Sequence, residues 1–164
     1  MRGPLDGTTG FHMIEPVIIR TAALTDAPRL AELSEVLGYP ASSAAIGQRL
    51  VHLLGRAEET VLVAEVVSGQ VIGWVHGSEQ ELLESGRRCE ILGLVVDAEH
   101  RDRGVGRQLI AAVEQWAVSR RLEQIAVRSN VLRADSHPFY ERLGYVRTKT
   151  QHAYGKRLSG EGAV

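Results

Sequence analysis

The spacing of apolar residues predicts two helices near the start of the chain, after a short strand at residues 17–20. A residue that can cap a helix, Thr25 or Asp26, precedes the first helix, and Ser42 or Ser43 precedes the second. Apolar residues recur at three- and four-residue intervals in both segments, which is the pattern of a helix with one buried face. The two apolar stripes are Leu30, Leu33 and Leu37, and Ile46, Leu50 and Leu53.

The middle of the chain has the pattern of strands. Residues 60–67 and 70–76 are strand-like runs joined by a Ser-Gly pair, which is typical of a hairpin turn. Residues 79–87 are polar, and we expect a loop there. Residues 91–96 are apolar throughout, so they predict a strand that is buried on both faces. Gly93 inside this run fits a bulge.

The last third of the chain predicts a strand at residues 124–128 and then a short helix that starts near Ser136. Residues 145–148 and 152–158 are predicted to form a final antiparallel pair of strands. The whole order is strand, two helices, three strands, helix, strand, helix and two strands, which indicates one mixed α/β domain.

A basic turn with two glycines joins the buried strand to the next helix. It reads Arg101-Asp102-Arg103-Gly104-Val105-Gly106 and is followed by Arg107. Glycines allow backbone N–H groups to come close to a phosphate, and the start of a helix favours negative charge. The turn therefore predicts an anion site, although a plain helix start with solvated arginines has the same pattern.

Two well-known phosphate motifs are absent from this turn. No lysine follows Gly106, which excludes a P-loop, and Leu109 stands where a dinucleotide fingerprint has its third glycine. The absence of both motifs argues against a nucleotide-binding domain that uses this turn.

The turn fits the pattern Arg/Gln-x-x-Gly-x-Gly/Ala and resembles the acetyl-CoA-binding motif of the GNAT superfamily of N-acetyltransferases. The resemblance implies that backbone N–H groups of the turn hold the CoA pyrophosphate. It also implies that the preceding strand splays from its neighbour and binds the pantetheine arm with its backbone. Asn130 resembles a polar residue that binds pantetheine, although a turn asparagine is an equal reading. The implied cofactor-binding residues are Leu94, Val95, Val96, Arg101, Arg103, Gly104, Val105, Gly106, Arg107 and Asn130.

Two catalytic residues are implied by the same resemblance. The segment from Phe139 to Tyr145 resembles the Phe-Tyr-x-x-x-Gly-Phe/Tyr pattern, in which the tyrosine, here Tyr140, protonates the CoA thiolate. The plainer reading of Tyr140 is an aromatic ring that packs the short helix. Glu90 resembles the strand glutamate that acts as a base through water, and alternation would place it on one face with Leu92 and Leu94. A strand-end glutamate paired with a neighbouring arginine is the alternative.

The resemblance extends from about residue 17 to residue 158. It implies an α/β (mixed α+β) GNAT fold, in which a central, mostly antiparallel mixed sheet is flanked by helices. We expect one domain over residues 16–164 after a flexible extension at residues 1–15. The implied function is direct transfer of an acetyl group from acetyl-CoA to a primary amine of a small molecule or peptide. The alternative is a catalytically silent CoA-binding sensor of the same fold.

The composition is that of a globular protein with little overall charge. The 164 residues are 44% hydrophobic and 24% charged, with a formal net charge of −1, so no global field favours nucleic acid or membrane. No apolar run approaches the roughly 20 residues that a membrane span needs. The single cysteine, Cys89, suits a reducing cytoplasm, and the six histidines lack metal-site spacings. We expect a cytoplasmic protein without a metal, nucleic-acid or membrane partner.

The sequence indicates the identity of the amine acceptor less clearly than it indicates the fold or the cofactor. In the family, the segments that correspond to residues 37–54, 79–87 and 149–152 shape the acceptor pocket. Residues 79–87 contain three glutamates, which would suit a cationic acceptor such as an aminoglycoside or polyamine but are also ordinary solubilising charge. Residues 95–158 resemble aminoglycoside 6′-N-acetyltransferases, mostly through the shared CoA motifs. A homodimer formed through residues 152–158 is a further hypothesis.

Overall fold

A computed structural model of the chain describes residues 15–129 and 136–159. The predicted extension, apart from Glu15, and Asn130 lie outside the described residues. The described residues belong to two units, one that ends at Arg128 and one that begins at Ser129. Each unit is described by itself.

The first unit is built on a five-stranded sheet whose spatial order follows the chain order. Its first four strands are antiparallel neighbours, and the fifth lies parallel to the fourth. The strands are β1 (Val17–Thr21), β2 (Glu59–Val66), β3 (Val71–Leu82), β4 (Gly86–Val96) and β5 (Ile125–Val127). The mixed, mostly antiparallel sheet confirms the predicted fold class.

Three helices belong to the first unit: α1 (Ala27–Val36), α2 (Ser43–Leu54) and α3 (Val105–Ser119). A short 3₁₀ helix, Leu24–Asp26, leads into α1, and Pro28 lies in the first turn of α1, where its missing N–H is harmless. Ser42 is the cap of α2, because its hydroxyl accepts the Ala45 N–H at 3.1 Å. Both predicted early helices are confirmed.

The helices cover opposite faces of the sheet, which we call the α1/α2 face and the α3 face. On the α1/α2 face, buried leucines of α1 and α2 form one cluster with Val61, Val63 and Val95. On the α3 face, Leu109 and Val113 are fully buried against the glycines of β3. A Cβ at Gly77 would lie 2.8 Å from Val113 Cγ1, so this glycine lets α3 approach the sheet closely.

The polar loop predicted at residues 79–87 is wrong, because most of this segment is a hairpin. β3 continues to Leu82, β4 begins at Gly86, and Glu79 lies opposite Cys89 in the ladder. The carboxylate of Glu79 is paired with Arg87 on β4 and with Arg120 at the end of α3, so charge pairs replace the apolar alternation that usually marks a strand.

The predicted bulge is present beside Gly93. The register shifts between His76 and Gly77, which leaves Leu92 as an extra residue on β4. Glu90 therefore lies opposite Ser78, whereas Leu94 lies opposite Val75 on the other face. The prediction that Glu90 and Leu94 share a face is wrong, because the extra residue inverts the alternation between them.

The second unit contains α4 (Ser136–Arg142), as predicted. The helix ends at Gly144, which has a φ of +90° and donates its N–H to Glu141 O at 3.1 Å. Residues 145–159 form neither a helix nor a strand, so the final strand pair at residues 145–148 and 152–158 is wrong. Tyr154 and Leu158 are 93% and 85% exposed, and Gly155 between them weakens strand formation.

Candidate active site

The turn before α3 leaves the start of that helix uncapped. Asp102 and Gly104 have left-handed φ values of 60° and 78°, and no side chain caps the helix. The first N–H groups of a helix have no partner inside it. Val105, which is 2% exposed, fixes the start of α3 against the core. These N–H groups therefore have no side-chain partner from the cap, in contrast to the Ala45 N–H of α2, which Ser42 accepts.

Arginines surround this helix start. Arg101 donates from Nε to Val96 O at 3.3 Å, which folds its side chain back onto the end of β4. Arg103 and Arg107 are exposed and make no ion pair within the described residues. Together with the uncapped N–H groups, these positive charges give the turn the chemistry of an anion site.

Beside the turn, the end of β4 has a backbone edge that no described strand covers, which we call the free edge; one of its carbonyl groups, that of Val96, accepts from Arg101. β5 pairs with β4 only from Cys89 to Ile91. Asp97 donates its N–H to Ile72 O on β3 at 2.7 Å, so by strand alternation the N–H and C=O groups of Leu94 and Val96 point away from β3. Within the described residues no strand pairs with that edge, which agrees with the splayed strand that the resemblance implied.

Hydrogen bonds of Arg29 connect α1 to the start of the turn, and this contact was not predicted from the sequence. Arg29 donates from Nε to Val71 O and from Nη2 to Asp97 Oδ2, both at 2.9 Å. Asp97 lies 68 residues from Arg29 in the chain, so only the fold brings the two together. The contact fixes the first residue after β4 and supports the position of the turn.

A cavity of about 260 Å³ lies on the α1/α2 face, between the two helices and the sheet. Its walls are mostly apolar. Arg49, Tyr39, Ser34 and His76 add polar groups. The apolar lining comprises Leu30, Leu37, Ile46, Leu50, Leu53, Val61, Trp74 and Leu92, together with Gly93. The cavity reaches β4 at Leu92 and Gly93, just before the free backbone edge. Residues 37–54, predicted to shape the acceptor pocket, supply much of its wall.

A hydrogen-bonded pair that escaped prediction lies at the polar end of this face. His76 Nε2 is 2.6 Å from Glu59 Oε2, and Ser78 donates to the other oxygen of Glu59 at 2.9 Å. Gln80 extends the network by donating to Ser78 Oγ at 2.8 Å. One feature of the sequence could have indicated this network, since His76, Ser78 and Gln80 recur at every second residue of β3. Their partner Glu59 on β2 could not be predicted, because it depends on the register between the two strands.

Glu90 also lies on the α1/α2 face, and it is buried with 7% of its surface exposed. Arg88 donates to its Oε2 at 3.2 Å, and Arg128 Nε lies 3.1 Å from its Oε1. Both oxygens of the predicted base are therefore engaged by guanidinium groups, which stabilise the carboxylate.

Glu79 faces the opposite way, toward α3. Burial raises the pKa of its carboxyl, but hydrogen bonds from Arg87 and Arg120 outweigh burial and hold that pKa below its ordinary value. Its charge is thus neutralised by protein groups. Of the three glutamates that suggested a cationic acceptor, Glu79 is not available to one, and Glu81 and Glu84 are exposed on the hairpin.

Tyr140 belongs to the second unit. Its ring packs edge-on against Phe139 at 5.0 Å and against Tyr145 at 5.7 Å between centroids. The Tyr145 N–H also bonds to Tyr140 O at 3.1 Å, which closes the C-terminal turn of α4. The aromatic motif thus has a packing role, and the catalytic role of the hydroxyl stays a prediction.

Other kinds of site have little support among the described residues. No group of three or more His, Cys, Asp and Glu side chains is gathered there to hold a metal ion. None of the helices described is long and apolar enough to cross a membrane. Burial raises the pKa of the Cys89 thiol to about 11, which makes it a poor nucleophile at neutral pH.

Comparison of the fold gives consistent matches. Aminoglycoside antibiotic 6′-N-acetyltransferase AAC(6′)-Ih from Acinetobacter baumannii matches with a TM-score of 0.77 and 20% identity, over 88% of this chain and 100% of that chain. Glucosamine-6-phosphate N-acetyltransferase from Arabidopsis thaliana matches with a TM-score of 0.76 and 18% identity, over 86% and 99%. Aminoglycoside N-acetyltransferase AAC(6′)-Iy in complex with CoA matches with a TM-score of 0.77 and 24% identity, over 88% and 97%.

The sequence gives a match at the level of the family. No curated protein matches the chain. A model of the acetyltransferase (GNAT) family matches residues 28–145, which include α1, the whole sheet after β1, the basic turn and the aromatic motif. The chain therefore belongs to the GNAT family of acetyltransferases, which are acetyl-CoA-dependent N-acetyltransferases.

Proposed function

We propose that the protein moves an acetyl group directly from acetyl-CoA to a primary amine of a small molecule or peptide. The observation that carries the proposal is the uncapped start of α3 beside the free edge of β4, with Arg103 and Arg107 making no ion pair among the described residues. A similar fold has been solved with CoA bound, and other similar structures are named as acetyltransferases of aminoglycosides and of glucosamine-6-phosphate. Their names support an amine as the acceptor.

The basic turn would hold the pyrophosphate of acetyl-CoA through the N–H groups of Gly104 to Arg107, with Arg101 and Arg103 adding positive charge. The backbone of Leu94, Val95 and Val96 would bind the pantetheine arm, and Asn130 is proposed as a further polar contact.

The thioester supplies an activated acetyl group. The amine nitrogen attacks its carbonyl carbon, a C–N bond forms and the C–S bond breaks. We assign to Glu90 the removal of a proton from the amine, through a water molecule, because its position in β4 resembles that of the strand glutamate of the family. Arg88 and Arg128 hold its carboxylate in place. The Tyr140 hydroxyl would donate the proton that the departing sulfur takes up.

Thermal unfolding tests the cofactor site. Acetyl-CoA or CoA at about one hundred times the dissociation constant should stabilise the protein by about 2.7 kcal/mol, whereas ATP and NAD should not. Replacing Arg103 and Arg107 together by Ala should abolish most of the shift. Arg56→Ala, which removes an exposed arginine beyond the end of α2, should leave the shift unchanged. A shift produced by ATP or NAD but not by CoA would instead support a nucleotide-binding domain.

Release of free CoA thiol separates the enzyme from a silent CoA-binding sensor. Glu90→Gln and Tyr140→Phe should each lower the rate while the thermal shift with acetyl-CoA stays intact. A protein that binds acetyl-CoA but releases no thiol with any amine would be the sensor.

The location and the assembly are further predictions. A reducing cytoplasm suits the single buried thiol. A homodimer formed through residues 152–158 stays a prediction; in the single chain these residues form no strand, so pairing would have to order them. The mass in solution tests the dimer.

A further inference from the structure

The cavity on the α1/α2 face has a size and lining that select among amines. At about 260 Å³ it lies just below the range of about 300–1,000 Å³ for pockets that enclose drug-sized ligands. Most of its wall is made of apolar side chains from both helices and the sheet, among them Leu37, Ile46, Leu53 and Trp74. Burying apolar surface against such walls is favourable, whereas burying sugar hydroxyls there without partners is costly. The cavity therefore fits a small apolar body.

The charge of the cavity wall is positive. Arg49 lines it from α2 and makes no ion pair within the described residues. None of the described residues that line the cavity is Asp or Glu. An anionic group on a ligand would meet a free guanidinium, whereas a polycation would meet a charge of its own sign.

The carboxylates nearest to the cavity along the sheet are already engaged. Glu59 is bonded to His76 and Ser78, and Glu90 is held by Arg88 and Arg128. Recruiting either one to bind a cationic body would break contacts that stabilise a buried charge. The sheet side of the cavity thus offers no unpaired counter-charge for a polyamine or an aminoglycoside.

The cavity is lined by residues of α2 and of β4. Leu92 and Gly93 line it where β4 reaches its free edge, and Arg49 lines it from α2. Resting on the proposed acetyl transfer, which needs the amine near that edge, we infer that the acceptor is a primary amine on a small apolar body that also carries one anionic group. An aromatic or branched aliphatic amino acid has this chemistry. The anionic group binds Arg49 and the amine points toward β4.

The test is a panel of acceptors scored by release of CoA thiol. Phenylalanine and leucine should give higher kcat/KM values than 2-phenylethylamine, which has the same apolar body as phenylalanine without its carboxylate. Glucosamine-6-phosphate keeps an amine and an anion on a polar body, while kanamycin and spermidine are polycations. Faster turnover of glucosamine-6-phosphate, kanamycin or spermidine than of phenylalanine would overturn the inference.

A charge reversal at Arg49 isolates its role. Arg49→Glu should lower kcat/KM for phenylalanine by about tenfold, equivalent to about 1.4 kcal/mol, while 2-phenylethylamine changes less than about twofold. The same reversal at Arg56, an exposed arginine outside the cavity lining, is the control and should change neither substrate. Equal losses for both substrates in Arg49→Glu would contradict recognition of the anionic group.

A separate measurement keeps this inference distinct from the proposed function. If acetyl-CoA raises the unfolding midpoint but no amine releases thiol, the proposed transfer is wrong. Calorimetric titration of the protein with CoA present then decides the cavity by itself. Tighter binding of phenylalanine than of 2-phenylethylamine, lost in Arg49→Glu, would support the inference, and equal binding of the two would refute it.

Discussion

The two faces of the sheet are packed in different ways, although the same strands form both. The α3 face is closed, because Leu109, Ile110 and Val113 are at most 1% exposed. Leu109 and Val113 also approach the glycines of β3. The α1/α2 face keeps a cavity of about 260 Å³ beside a network of polar side chains. The closed face supplies close packing and therefore stability, and the open face supplies space and charge for a ligand.

The residues of β3 explain the difference. Toward α3 this strand presents Gly73, Val75 and Gly77, so the helix can lie close to the backbone. Toward α1 and α2 it presents Trp74 and His76, which hold the helices away and line the cavity. One strand thus sets both the tight and the loose packing through its alternation.

The largest expected effect is the loss of packing on the closed face. Leu109→Ala should lower the free energy of unfolding by about 2–5 kcal/mol, because the side chain is fully buried against the sheet. Leu53→Ala, in the cavity wall, removes the same atoms from a partly buried site and should destabilise the protein less. Denaturant unfolding measures both changes. Equal losses would show that the cavity is as well packed as the α3 face.

Two of the close-contact glycines of the sheet, Gly73 and Gly93, should respond differently to an added methyl group. In Gly73→Ala the Cβ would lie 2.8 Å from Val95 O, and a backbone atom cannot move aside easily, so we expect a loss of about 1–3 kcal/mol. In Gly93→Ala the Cβ would lie 2.8 Å from the outer edge of the Trp74 ring. That ring can tilt into the cavity, so stability should fall less and the KM for the acceptor should rise.

Unfolding and acceptor kinetics of these two variants check the contrast. A larger loss of stability in Gly93→Ala than in Gly73→Ala would contradict it. An acceptor KM that is unchanged in Gly93→Ala would show that Trp74 does not shape the acceptor site.

Local signals were sufficient for the helices and for the basic turn. The apolar period predicted α1 and α2, and the basic turn with two glycines predicted an anion site before any fold was known. These features depend on residues close together in the chain, such as Gly104 and the arginines beside it. The hairpin at residues 79–87 was missed because Glu79 is satisfied by Arg120, which lies 41 residues away.

The open face was the part that the sequence could not predict. The contact between His76 and Glu59 depends on the register of β2 and β3. Whether Glu90 shares a face with Leu94 depends on the extra residue Leu92 between them. Period-2 alternation holds only while the ladder is regular, so one inserted residue changed the predicted face of every residue after it.

The smallest expected effect is the change in stability when Glu79, the carboxylate paired with two arginines on the α3 face, loses its charge. Hydrogen bonds from Arg87 and Arg120 hold the pKa of Glu79 below its ordinary value of about 4.5. The ionised carboxylate therefore stabilises the fold fully at pH values above about 4.5. This contribution is lost as the pH falls through the lowered pKa. Glu79→Gln should therefore reduce stability at pH 7 by up to about 1 kcal/mol, and the difference from the parent protein should shrink as the solution is acidified. Glu81→Gln, two residues further along the same strand and exposed, should change stability little at either pH. Unfolding midpoints of both variants and the parent protein at pH 7 and pH 4 measure these differences. A Glu79→Gln protein as stable as the parent at pH 7 would mean that Arg87 and Arg120 are held by packing and not by this carboxylate.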